Sequence, residues 1–295
     1  MYYNNDTIIY FDGEFVKVNE TKLSVYNHTL HYGNGVFEGI RAYDTSDGVR
    51  VFKAKEHFQR LIYSANSMGF DCPLSIERLE AVCYELLEKN KLKNAYIRPI
   101  ITLSDNMSLN SNSKPVLTIL AWEWGNYLGA EMLSVMLSSF QRPNPKSCFV
   151  EAKVVGHYTN SILATNEAKL KGFDEALLTD MHGFVAEGPG ANFFYEKDGI
   201  LYTAPLGNIL AGITRATVFE LAKELQIEVV EKLFYPDEIY QADTAFFCGT
   251  AAEIIGIKKF ETHEFEMNWE DSSSALIQKM YKRRVSVNEY KNVFL

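Results

Sequence analysis

Three Asp-Gly dipeptides constrain the fold more than any other feature of the sequence. They are Asp12-Gly13, between Ile8-Ile9-Tyr10-Phe11 and Glu14-Phe15-Val16, then Asp47-Gly48, and Asp198-Gly199. Asp and Gly tolerate the positive φ angles of a tight hairpin, so each dipeptide predicts two antiparallel strands joined by a short turn. Two of them lie early in the chain and one late, which places antiparallel sheet in both halves.

Helices are expected between the strands. Ser75 is placed to cap one whose face, Leu79, Val82, Cys83, Leu86 and Leu87, follows the i, i+3, i+4, i+7, i+8 pattern. Another follows Val49 to Lys53 and carries Phe58, Leu61, Ile62 and Ala65. Strands at Ala95 to Leu103 and Val116 to Trp122 complete a first α+β domain, residues 1–121. The aromatic, aperiodic stretch Glu123-Trp124-Gly125-Asn126-Tyr127-Leu128-Gly129 reads as an interdomain loop, 122–132, and as loop aromatics that either serve a site or anchor the loop. A larger C-terminal α/β domain, 133–295, is expected to hold a helix from about Tyr158 to Lys171 and strands at Glu175 to Thr179, Phe184 to Ala186, Ile227 to Glu231 and Thr244 to Phe247. Its last helix, about Ser274 to Arg284, is expected to be peripheral, with Lys282-Arg283-Arg284 as a solvated end.

With 295 residues and 47% hydrophobic content, the chain has ample apolar surface for two cores. A net charge of -9 argues against nucleic acid or an anionic membrane as partner, since affinity for either comes from clustered Lys and Arg. The N-terminus has neither a basic nor an apolar region of the signal-peptide kind, so a cytoplasmic protein is expected. Cys72, Cys83, Cys148 and Cys248 and the six histidines show no metal-ligand spacing, and no metal is expected.

Two residues stand in unusual settings. Lys153 lies in Phe149-Val150-Glu151-Ala152-Lys153-Val154-Val155-Gly156, which reads as the end of a buried strand. Desolvation there would favour a neutral amine able to attack an aldehyde; the alternative is a lysine whose stem packs while its head reaches water. Glu187 closes the apolar run Phe184-Val185-Ala186 and is followed by Gly188-Pro189-Gly190, which puts a carboxylate at a tight turn. Gly212-Ile213-Thr214-Arg215 opens a helix carrying Val218, Leu221, Ala222 and Leu225, and reads either as an anion site or as a plain Thr214 N-cap. A second Gly-Thr turn follows at Gly249-Thr250.

Lys153 followed by Glu187 ahead of Asn192-Phe193-Phe194 resembles the class IV aminotransferases. The stretches His31 to Arg41, Glu56 to Arg60, Ala95 to Pro99, Ala152 to Tyr158, Glu187 to Phe194, Gly212 to Arg215 and Gly249 to Glu253 resemble the branched-chain branch of that family. The resemblance covers about residues 8 to 258. It implies an α+β, two-domain fold type IV architecture, D-amino acid aminotransferase-like, with mixed and antiparallel sheets and flanking helices. It implies pyridoxal 5'-phosphate as cofactor, Lys153 as the catalytic residue that holds it, and Glu187 as partner of the pyridine nitrogen. Arg60, Thr214, Gly249, Thr250 and the backbone of Ile213 would bind the phosphate; Tyr158 would reach the ring hydroxyl and Leu210 would pack on the ring.

For the substrate, the resemblance implies an apolar wall of Phe37, Gly39, Tyr158, Trp124 and Tyr127, completed by Tyr32 and Leu109 from the partner subunit of a homodimer. Tyr96, Thr250 and Ala251 would take the α-carboxylate, and Arg98 the side-chain carboxylate of glutamate or 2-oxoglutarate; the alternative is a structural ion pair of Arg98 elsewhere, with Glu38 as one candidate partner. The expected reaction is ping-pong transfer of an amino group between branched-chain L-amino acids and 2-oxoglutarate. Lys153-Val154-Val155-Gly156-His157-Tyr158 departs from the family's usual Lys-x-Gly-Gly-Asn-Tyr at Val155 and His157, which bears on substrate range rather than reaction type. D-amino acid aminotransferase and aminodeoxychorismate lyase share the lysine and glutamate but generally lack Phe37-Glu38-Gly39-Ile40-Arg41; a non-catalytic binding protein would not need Lys153.

Overall fold

The computed structural model describes residues 2–110, 112–124 and 132–286. The chain divides into two units, one of Met1–Gly125 with Ala152–His157 and Ser286–Leu295, the other of Asn126–Glu151 with Tyr158–Val285.

In the first unit Asp12 and Gly13 take φ of 45° and 110° and fold β1 (Ile8–Phe11) onto β2 (Glu14–Lys17). A short helix, α1 (His28–Tyr32), is capped by the Asn27 side chain and ends at Gly33 with φ 68°. Next come β3 (Val36–Phe37), β4 (Ile40–Thr45), β5 (Gly48–Val51), α2 (Ala54–Ser67), α3 (Ile76–Lys89), β6 (Ala95–Leu103) and β7 (Pro115–Glu123). Among the described residues they form an antiparallel sheet of order β2-β1-β7-β6-β4-β5, with β3 also on β6. The Ser75 cap is present, its hydroxyl accepting from Arg78 N–H, and all five residues of the expected α3 face are buried. They join Phe58, Leu61 and Ala65 of α2 and Ile97, Ile101 and Ile119 of the sheet in one core. Because side chains alternate along a strand, burying Ala95, Ile97 and Ile101 in that core turns Tyr96 and Arg98 to the other face of β6.

The second unit contains β8 (Met132–Gln141), α4 (Tyr158–Leu170), β9 (Glu175–Thr179), β10 (Asn192–Lys197), β11 (Ile200–Thr203), α5 (Ile213–Glu224), β12 (Val229–Glu231), β13 (Thr244–Gly249), β14 (Glu253–Phe260), β15 (His263–Glu264) and α6 (Ser273–Ser286). The sheet order is β12-β11-β10-β13-β14-β8-β9, with β15 on β14. Helical crossovers give parallel pairs, β8 with β9 across α4 and β11 with β12 across α5, while the Asp198-Gly199 turn makes β10 and β11 antiparallel. The mixed sheet and flanking helices agree with the α+β expectation.

Three local expectations are corrected. Phe149–Gly156 is not a strand end: Val154 makes a single bridge to Val36, and the chain enters a 3-10 turn at Val155–His157. Phe184-Val185-Ala186 carries isolated bridges, Thr179 to Val185 and Glu187 to Asn192, in place of a ladder. Helix α6 is not peripheral, since Ala275, Ile277, Tyr281 and Val285 are buried. Its first turn is held by the buried Glu196 carboxylate, which accepts from the N–H groups of Ser273 (3.0 Å) and Ser274 (2.8 Å) and from the Ser274 hydroxyl (2.7 Å). A carboxylate at a helix N-terminus meets open N–H donors and the positive dipole end. The basic end is solvated at Lys282 and Arg283, whereas Arg284 pairs with Glu224 at 2.6 Å.

Candidate active site

In the first unit the lysine is held by its backbone. Lys153 N–H donates to the buried Ser64 hydroxyl of α2 at 2.9 Å, and its carbonyl accepts from Phe37 N–H at 3.1 Å. Val155 and Gly156 donate to the carbonyls of Gly35 and Gly33, at 2.8 and 3.1 Å. A Cβ on Gly33 would stand 2.8 Å from Gly156 Cα, so Gly33 is the glycine this packing needs, while one on Gly156 would meet the Gly33 carbonyl oxygen at 3.3 Å. Ala152 and Val154 are buried and Lys153 is half-buried between them, with Nζ 5.0 Å from the centre of the Phe37 ring.

Arg98 shares that ring. Its guanidinium carbon sits 4.6 Å from the Phe37 centroid and 5.3 Å from that of Tyr96, and Nη2 donates to Tyr96 Oη at 3.2 Å. Nε is buried with no hydrogen-bond partner, and among the described residues no carboxylate pairs with Arg98. The ion pair with Glu38 is not formed, because Glu38 is engaged with Arg60 and His57. Tyr96, Trp122 and Trp124 form a triangle of rings, with Tyr96 5.1 Å from Trp122 and 4.8 Å from Trp124, and a Cβ on Gly39 would strike Tyr96 Oη at 1.9 Å. Tyr32 and Leu109 are exposed, Leu109 at 88%, and Tyr127 lies outside the described residues.

Glu38 is fully buried and both of its oxygens are engaged. Arg60 forks onto it, Nε to Oε1 at 2.7 Å and Nη2 to Oε2 at 2.9 Å, while His57 Nδ1 reaches Oε2 at 2.7 Å and Gly39 N–H at 3.3 Å. Burial opposes ionisation of Glu38, yet the Arg60 charge and the His57 hydrogen bond outweigh it and hold the carboxyl far below the usual carboxylate range. Burial pushes His57 below its ordinary value, with Arg60 and Lys153 adding to the effect and Glu38 opposing it, so the imidazole is neutral and donates from Nδ1. Sequence reading missed this trio as a unit. Its trace was one acid in the apolar run Val36 to Ile40, with His57 and Arg60 three apart on one helix face.

In the second unit Glu187 is buried with an array of donors. Oε1 accepts from Leu210 N–H at 3.1 Å and lies 2.9 Å from Arg142 Nε; Oε2 accepts from Asn192 Nδ2 at 3.0 Å. Arg142 left no signal in the sequence, because the Gln141-Arg142-Pro143 stretch in which it stands carries no motif. Asn192 also donates to the Leu210 carbonyl at 3.0 Å, and a Cβ on Gly212 would stand 1.9 Å from its Oδ1. Glu187 is thereby tied to the segment that opens α5.

The N-cap of α5 is Gly212, with no side-chain cap bond, so Thr214 is a buried residue of the first turn and not the cap. Ile213 is half-buried at the helix start. Gly249 ends β13 against the backbone of Gly190 and Ala191, followed by the turn residues Thr250 and Ala251. Tyr158 is half-buried at the start of α4. Glu187, Leu210, Ile213, Thr214 and Gly249 are thus joined through Asn192 and its neighbours in one unit, and Lys153, Phe37, Arg98 and Tyr96 through one ring cluster in the other.

The family described as Amino-transferase class IV matches residues 35–260. A branched-chain-amino-acid aminotransferase of Pseudomonas aeruginosa is 40% identical over 289 residues, covering 96% of this chain and 94% of the relative. The crystal structure of the Escherichia coli branched-chain amino acid aminotransferase is similar with a TM-score of 0.93 at 37% identity, covering 97% of this chain and 98% of the other. A further branched-chain amino acid aminotransferase, solved in complex with N-(5'-phosphopyridoxyl)-L-glutamate, gives a TM-score of 0.89 at 36% identity, covering 95% of this chain and 94% of the other.

Proposed function

The chain belongs to the amino-transferase class IV family, and on that premise we propose that it is a pyridoxal-phosphate-dependent aminotransferase exchanging amino groups between branched-chain L-amino acids and 2-oxoglutarate. The carrying observation is the near full-length likeness to branched-chain enzymes together with the buried, donor-held Glu187 carboxylate.

The residues fit the cofactor. A protonated ring nitrogen needs a carboxylate partner kept out of water, and Glu187, buried with Arg142 beside it and two N–H donors on it, is suited to that place. A dianionic phosphate needs several donors and a cation, for which the uncapped first turn of α5, Thr214, the Gly249-Thr250 turn and Arg60 are suited. When bound, pyridoxal phosphate supplies the carbonyl carbon that receives the amino group and the ring that accepts electrons.

Lys153 would be the residue that holds the cofactor, and its amine would move the proton at the substrate's α-carbon. Glu187 would hold the proton on the ring nitrogen, Tyr158 would orient the ring hydroxyl and Leu210 would pack on the ring. Phe37, Gly39, Trp124 and Tyr127 exclude water around an apolar side chain, while Tyr96, Thr250 and Ala251 orient the α-carboxylate.

The second substrate brings a carboxylate to the same place. The relative bearing the phosphopyridoxyl-glutamate adduct holds such a group, and Arg98, with no acid partner among the described residues, is suited to receive it here. We place Tyr32 and Leu109 at a second copy of this chain in a homodimer, which the exposure of Val25 (71%), Leu30 (61%) and Leu109 (88%) supports. A cytoplasmic location is supported by the four free cysteines. Among the described residues no helix is long and apolar enough to cross a membrane.

The test is an absorbance spectrum of the purified protein before and after single amino acids are added, repeated with Lys153→Ala. Leucine, isoleucine and valine should change the cofactor band and alanine or D-amino acids should not, and the folded Lys153→Ala protein should show no turnover. Near-normal turnover in that variant sinks the assignment.

A further inference from the structure

Arg60 does not stand alone as a cation. Its Nε–Nη2 edge is consumed by a bidentate fork onto Glu38, and Glu38 is in turn gripped by His57 Nδ1 and Gly39 N–H. Arg60 and His57 sit on one turn of α2, whereas Glu38 comes from the link between β3 and β4. A fork of two parallel N–H bonds fixes the plane of a guanidinium as well as its position, and so determines where its Nη1 protons point.

Simple charge counting would predict the opposite arrangement at an anion site. A buried carboxylate 2.7 Å from the arginine cancels its charge and repels a phosphate, so retaining Glu38 makes sense where aim outweighs charge. His57, neutral and donating, adds a third constraint on the same carboxylate without adding a charge.

We propose that Glu38 and His57 are positioning residues for Arg60: an acid–imidazole pair that locks the guanidinium plane and thereby sets the preference of the site for a phosphorylated cofactor over its unphosphorylated form. This rests on the reading that Arg60 contacts the cofactor phosphate.

The readout is a ratio. The full-length apoprotein is titrated with pyridoxal phosphate and, separately, with pyridoxal, and the two dissociation constants are measured from the change in cofactor absorbance. Their ratio isolates what the phosphate contributes, and general loosening of the fold does not move it. Glu38→Gln presents an amide group to one arm of the fork and should reduce the ratio about tenfold or more. His57→Leu should reduce it several-fold, and His57→Asn, which restores a donor, should recover most of the loss.

Arg60→Ala separates the two levels of the argument. If that variant leaves the ratio unchanged, the reading of Arg60 itself fails. If it collapses the ratio while Glu38→Gln and His57→Leu leave it intact, the positioning role is overturned. A ratio that rises in Glu38→Gln also overturns it, because Glu38 would then act as a brake on anion affinity. If Glu38→Gln does not fold, the His57→Leu and His57→Asn pair decides: loss with recovery supports the proposal, and an unchanged ratio in both refutes it.

Discussion

In the pair Arg60–Glu38 the carboxylate is surrounded by Arg60, His57 and Gly39, and the fork fixes the orientation of the arginine. In the pair Arg142–Glu187 the emphasis is reversed: Arg142, Asn192 and Leu210 N–H surround a carboxylate whose charge is the product of the arrangement. Both pairs are buried arginine–glutamate contacts at less than 3 Å, and the contact type alone does not separate them. What separates them is which partner the neighbouring donors serve. On Glu187 two N–H donors and an arginine charge converge on the carboxylate, whereas the fork on Arg60 fixes the orientation of a guanidinium. Arg98 is the third case, a cation whose surroundings are aromatic rings and a phenol in place of an acid. An arginine left without a carboxylate is suited to accept one from a substrate.

The largest effect that bears on this contrast is expected at Glu187. Glu187→Gln should retain bound cofactor and slow the proton-transfer step by orders of magnitude, since a neutral amide no longer stabilises a protonated ring nitrogen. Glu38→Gln should do the reverse, loosening cofactor while leaving the single-turnover rate of the saturated enzyme within a few-fold. Single-turnover kinetics with leucine at saturating cofactor reads both. Equal rate losses in the two variants would erase the distinction between the pairs.

Arg98→Leu comes next. The half-reaction with glutamate should lose about a hundredfold or more in kcat/KM, because a carboxylate would be buried unpaired, against at most a few-fold for leucine. Stopped-flow measurement of each half-reaction decides it. Equal losses would make Arg98 a support of the fold or of the cofactor.

The smallest effect is in stability against pH. Glu38 and His57 both have depressed values in the folded protein, against about 4.5 and 6.5 for the unperturbed groups. A depressed group contributes stability that is whole above its unfolded value and is lost as the pH falls through its folded one. Thermal stability should therefore decline first below about pH 6.5, where the unfolded chain takes up a proton on His57, and more steeply below about 4.5, where Glu38 follows. His57→Asn should abolish the upper decline, a change of a few degrees in Tm, and leave the lower one. An unaltered Tm profile in that variant would mean that folding does not hold His57 in its neutral form.

Much of the molecule was legible in the sequence because the signals are local. The Asp-Gly turns specify positive φ at two adjacent residues, and the Asp12-Gly13 and Asp198-Gly199 pairs adopt it. The α3 cap and apolar face are written in one 15-residue window, and every residue of that face is buried. Lys153 and Glu187 stood out by residue type against their neighbours, which a single chain shows.

Tertiary structure decided what depends on partners far apart in the chain. The Lys153 segment has the alternation of a strand, yet its N–H goes to Ser64, 89 residues away, and its neighbours to Gly33 and Gly35, so no ladder forms. Helix α6 looked peripheral because the Glu196 carboxylate that holds its first turn lies 78 residues upstream. The sequence offered Glu38 as a partner for Arg98, and only the packing of α2 beside β3 brought Arg60 and His57 to it. A residue's chemistry can be read from its side chain, but a buried charge takes its role from the donors and acceptors that folding brings within about 3 Å of it.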